Sequence, residues 1–167
     1  MKSNNKKLST KEKIISYSTM ADIQAKRIEE AFVILKNHNL MPLKPGDIEQ
    51  CIIEEIGLLD LVTTRFSKLQ DVIGLKIFVL LLKILLEDSE SQTMIDKFNR
   101  LEKLHYLPSA QDWIDLRNLR NDFAHEYPQD DDFMVKQLNK AFIASRQLLD
   151  YWYELRKKLD DVLKKAT

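Results

Sequence analysis

SAQDWIDLRNLRNDFAHEYP, residues 109–128, reads as a helix with both ends written into it. Ser109 can accept a backbone N–H as N-cap, and Asp112 sits three residues on, where the helix dipole favours an anion. Pro128 disfavours helical geometry at Tyr127 and closes the segment. At ~100° per residue, Trp113, Leu116, Leu119, Phe123 and Tyr127 share one arc, which predicts a face turned to a core. Arg120 falls inside that arc, where a guanidinium must find an anion, several acceptors or water. Asn121 and His125 lie one turn apart on another face, with Ile114 and Arg117 beside them.

Around this segment the composition is that of a helical protein. The chain has 167 residues, 44% hydrophobic and 31% charged, with only Gly 3 and Pro 4. Few corners are available, which favours helices over a sheet. Length fits one domain with its own core. The 26 basic and 26 acidic residues cancel, so no global field holds long nucleic acid, and any polyanionic partner needs a local cleft. Cys51 is the one cysteine, which excludes an internal disulfide and fits a reducing cytoplasm. No signal peptide is visible. The most apolar run, Val72 to Leu86, spans about 15 residues and carries Lys76 and Lys83, too short and too charged for a bilayer.

Helical periodicity continues in both directions. Residues 1–17, with Lys2, Lys6, Lys7, Lys11 and Lys13, read as a basic solvated arm, and 18–167 as the folded domain. Ser18 or Thr19 caps a first helix to about Asn37, with Ile28, Ala31, Phe32 and Leu35 inward. NHNLMPLKPG, 37–46, is the clearest break. Asp47 caps a second helix whose buried stripe is Ile48, Ile52, Leu59, Val62, Phe66 and Leu69. A stop or bend is expected near Gln70–Gly74, and Val72–Leu86 as the most buried helix. A further helix from Thr93 turns Met94, Ile95, Phe98 and Leu101 inward. After the motif, Asp131 or Asp132 caps a last helix to about Lys164, with Val135, Leu138, Phe142, Leu149, Trp152, Leu155 and Leu159 inward. The expectation is an all-α, up-and-down bundle of four to five main helices.

Arg120-Asn121-x3-His125-x-Tyr127 resembles the RN-x3-H-x-Y signature of the HEPN family, in particular HEPN ribonuclease toxins paired with a minimal nucleotidyltransferase (MNT) antitoxin. The match covers about twenty residues closely; the rest agrees in being helical and of similar size. The residue types suit RNA cleavage without metal or cofactor. Histidine serves as base or acid near neutral pH, and arginine presents a fork of donors to phosphate. Arg120 and His125 are the candidate catalytic pair, with Asn121 and Arg117 in support. One imidazole cannot readily be both base and acid, and on a regular helix Arg120 and His125 point roughly 140° apart. A two-fold homodimer removes both difficulties, and Ile114 with Arg117, Asn121 and His125 is the expected dimer face. The resemblance implies the same shared cleft, a partner MNT-type nucleotidyltransferase, and Tyr127 as the residue that partner adenylylates.

Other readings stay open. Arg120 as a structural ion-pair partner would have Glu54, Glu55, Asp60 or Asp71 to choose from. His125 could be an ordinary helix-end histidine, and Tyr127 a core aromatic. The chain could then be a non-catalytic binding subunit beside a nucleotidyltransferase, or a scaffold. His38 and His105 are lone, so no zinc site can be argued, and Asp130, Asp131 and Asp132 read as a helix cap. No Gly-rich phosphate loop or nucleophile elbow is present.

Overall fold

The computed structural model describes residues 8–87, 91–123 and 130–165. Within them the chain is helical and no strand occurs: α1 (Thr10–Asn37), α2 (Asp47–Gln50), α3 (Ile53–Val72), a π turn (Ile73–Ile77), α4 (Phe78–Ile84), α5 (Met94–Lys103), α6 (Ala110–Asp122) and α7 (Asp131–Lys165).

The first helix starts earlier than the polar composition suggests. Ser9 Oγ accepts the Glu12 N–H at 3.2 Å while Glu12 Oε2 accepts the Ser9 N–H at 2.7 Å, a reciprocal cap. Ile14 and Ser18 are buried, continuing a seam through Ala21, Ala25 and Ile28. Residues 10–17 are therefore the first turns of α1 and not part of an arm; residues 1–7 lie outside the described residues.

The expected break at 37–46 is present, and it is tied to the far helix. Asn139 accepts the Leu43 N–H and donates to the Leu43 carbonyl, both at 2.9 Å, and Asp131 Oδ2 accepts the Gly46 N–H. Asp47 does not cap a long helix. Its carboxylate turns back onto the Lys44 N–H at 2.7 Å, and α2 is a single turn. The chain restarts at Ile53 after Glu55 caps the Ile52 N–H at 3.0 Å. That interruption resets the helical phase, so Ile52 is 56% exposed instead of joining the stripe. From Leu59 through Val62, Phe66 and Leu69 the stripe is buried as expected.

No stop occurs at Gln70–Gly74. The chain passes through the π turn directly into α4 and makes one long rod, Ile53–Ile84. Ile73, Ile77, Phe78, Leu81 and Leu82 are buried, but Leu75 is half exposed, so this helix keeps a wet flank. Trp113 lies against Gly74: a Cβ there would stand 3.2 Å from Trp113 Cζ2. The indole also packs on Phe78 at 4.8 Å between centroids and on Phe98 at 6.2 Å. In α5, Phe98 and Leu101 point inward, whereas Ile95 is exposed because this short helix offers only one stripe to α4 and α6.

Contacts along the rods set their directions. His38 at the end of α1 meets Glu55 at the start of α3 at 2.6 Å. Asp131 at the start of α7 meets Gly46, while Trp152 Nε1 donates to Asp22 Oδ1 of α1 at 2.9 Å. Trp113 meets Gly74 and Arg120 meets Asp71, so α6 runs against the long rod. The rods α1, α3–α4, α6 and α7 thus alternate up and down, with α5 bracing one end. Val135, Leu138, Phe142, Leu149, Trp152, Leu155 and Leu159 are all buried along α7.

The two helical glycines make a paired prediction. Gly57→Ala, with nothing within 4 Å of the new methyl, should gain up to about 1 kcal/mol from helix propensity alone. Gly74→Ala gains the same but pushes on an indole clamped by two phenylalanines, and overpacking of about 1–3 kcal/mol should win. Urea unfolding of the two variants is expected to move the midpoint in opposite directions.

Candidate functional site

Helix α6 begins as its sequence predicts. Ser109 Oγ accepts the Asp112 N–H at 3.1 Å, and the Tyr151 hydroxyl of α7 donates to Asp112 Oδ2 at 3.0 Å. Trp113 and Leu116 are buried, and Leu119 and Phe123 are half-buried against the core, with Phe123 edge-on to Phe66 at 5.8 Å. Ile114, expected at a dimer face, packs partly against the core. The helix is described to Asp122; His125 and Tyr127 lie outside the described residues.

Arg117, Arg120 and Asn121 open into one cleft of about 110 Å³, walled by Gln70, Asp71, Gly74 and Leu75 of the long rod and Phe98 of α5. A helical wheel separates Arg120 from the Arg117–Asn121 side; the structure joins them, because the cleft spans both sides of the helix edge. Arg120 Nη2 donates to Asp71 Oδ2 at 2.6 Å, and Nη1 donates to Asn121 Oδ1 at 3.3 Å. The Arg120 and Asp71 side chains keep 32% and 35% of their surface open, so this pair is neither sealed nor fully solvated. Arg120 Nε is closed to solvent and has no partner among the described residues.

Asp71 is therefore the acid, of the four candidates, that meets Arg120. It lies one turn before Gly74, at the height where the Trp113 contact delivers α6. Gln70, only 3% exposed, also lines the cleft; no signal in the apolar periodicity marks it out. Two guanidinium groups and one carboxylate leave the cleft with a surplus positive charge, suited to an anion.

The remaining polar clusters do different things. His38 is tied to Glu55, and His105 occupies a left-handed position, φ 62°, past the end of α5. Among the described residues no group of three or more His, Cys, Asp and Glu could hold a metal ion. No described helix is long and apolar enough to cross a membrane. No family model matches the chain, and no curated protein or solved structure does either.

Cys51 gives a pH prediction. Burial, then the carboxylates of Glu55 and Asp47, push its thiol above the ordinary value. Glu55 itself is held below the usual carboxyl range by His38 and the Ile52 N–H, so it stays charged. A raised thiol pKa means less thiolate at a given pH. Iodoacetamide should label Cys51 more slowly than a free cysteine at pH 8, and Glu55→Gln should speed that labelling by removing the nearby negative charge.

Proposed function

We propose that this chain is a HEPN-type, metal-independent endoribonuclease, the toxin of a toxin–antitoxin pair, with its cleft shared by two subunits. The observation that supports it is where the motif arginine sits. Arg120 and Asn121 reach a cleft open to solvent whose lining includes a second arginine, Arg117. A purely structural arginine has no need of that company.

The chemistry follows from the residue types. The ribose 2′-oxygen attacks phosphorus while a base takes its proton, the P–O5′ bond breaks, and an acid protonates the leaving 5′ oxygen. The products are a 2′,3′-cyclic phosphate and a 5′-hydroxyl. Arg120, with Arg117, holds the phosphate and stabilises the charge that builds on its oxygens. His125 of one subunit acts as base and its symmetry mate as acid, which resolves the double duty of a single imidazole. Tyr127 is the position where a partner MNT-type nucleotidyltransferase would attach an adenylyl group and block the cleft.

A second reading draws on the Asp71 contact. Arg120 already has a carboxylate at 2.6 Å, as a structural arginine would. On that reading the chain is a non-catalytic HEPN-like subunit that binds a nucleotidyltransferase.

Cleavage of a defined RNA in excess EDTA separates the two. The ribonuclease reading expects cutting to cyclic-phosphate ends, no action on the DNA analogue, and a loss on the order of a hundredfold or more in His125→Ala and in Arg120→Ala. Equal cutting by either variant rejects this site. An inert wild-type chain that forms a stable complex with a small nucleotidyltransferase favours the second reading.

A further inference from the structure

A guanidinium chelates an oxyanion along one of two edges, Nε with Nη2 or Nη1 with Nη2. Both edges use Nη2, and in this structure Asp71 holds Nη2 at 2.6 Å. Along the first edge Nε is shut off from solvent; along the second Nη1 is turned to Asn121. Arg120 thus has no free edge to offer. Arg117 lines the same cleft and has no hydrogen-bond or ion-pair partner among the described residues. We propose that Asp71 is an internal competitor for the anion: an entering phosphodiester is met first by Arg117, and Arg120 chelates it only after Asp71 lets go.

This rests on the reading of the cleft as a phosphodiester site, but it concerns binding and can be tested apart from cleavage. Asp71 is in the right place for the role. It sits on the long rod, and its side chain is about one third exposed, so released it turns to water and not into the core. The pair's moderate exposure also sets its strength. A contact so open to solvent withholds at most about a fivefold gain in affinity.

The experiment titrates the full-length protein with inorganic phosphate, then with a deoxydinucleotide that cannot be cleaved. Binding is followed through the arginine side-chain NMR signals. In the wild type the Arg117 resonance should move first. Asp71→Asn should tighten phosphate binding by up to about fivefold and bring Arg120 into the response. Asp71→Glu, which keeps the charge, should not tighten it, and Arg117→Gln should weaken binding in both backgrounds. If Asp71→Asn unfolds, Asp71→Ser removes the same charge. Unchanged or weaker phosphate binding in the neutral variants overturns the proposal, as does a wild-type response led by Arg120 or no binding at all. An inert enzyme whose Asp71→Asn form gains phosphate affinity would refute the ribonuclease reading and leave the competitor in place.

Discussion

The indole of Trp113 occupies the space a side chain at position 74 would fill, and the placement of the cleft follows from that contact. Burying a tryptophan removes roughly 200 Å² from water, on the order of 5 kcal/mol. The Arg120–Asp71 pair, a third exposed, contributes at most about 1 kcal/mol. The core contact therefore decides where α6 lies, and the ion pair falls into line. With Trp113 seated on Gly74 and held by Phe78 and Phe98, the helix can neither slide nor roll without opening a void. Arg117 and Arg120, one and two turns on, are carried to the shoulder where the core gives way to water.

The π turn is the second half of the same constraint. An extra residue in the turn lets the long rod pass Gly74 without the break that its sequence suggests, at a place where nothing else interrupts the ladder. Asp71 precedes this turn and Leu75 lies within it, so the wall of the cleft that faces α6 stands on one continuous element, with Phe98 of α5 beside it. A site carried by two packed helices is held more closely than one built on loops. The position of Arg120 relative to Asp71 is thus a property of the fold, not of one long side chain that happened to reach an acid.

Much of this was legible in the residues, and the exceptions share a cause. Caps are local chemistry, so Ser109 was readable, as were the start of α5 near Thr93 and the proline-rich break at 37–46. The apolar stripe of α7 was also plain, since a long helix repeats its signal many times. Ile52 was misplaced because helical phase carries forward only while the helix is unbroken, and Ile95 because the short α5 buries a single stripe. The start of α1 was hidden by its polar composition, although Ser9 and Glu12 spell a capping box. In the cleft, the residues pointed to Arg120, with Asn121 and Arg117 in support, but bringing Arg120 to the same edge as the other two needed helix packing that no wheel contains. Asp71 was one of four acids until tertiary contact selected it.

The balance of charge gives the exposure of that pair its meaning. With 26 basic and 26 acidic residues, the chain has no broad field to draw in a polyanion, so attraction must come from a few local cations. Two arginines line one small cleft, and the Asp71 carboxylate offsets part of their charge. Had the pair been fully buried, removing its acid would strand a charge at a cost of about 3–5 kcal/mol, and no weakly bound phosphate could displace it. Had it been fully exposed, it would neither order Arg120 nor screen Arg117. At one third open the contact is strong enough to orient the arginine and weak enough to be exchanged for another acceptor. An exchange of one oxyanion for another leaves the number of charges around Arg120 unchanged, which makes a reversible site physically reasonable in a chain of zero net charge.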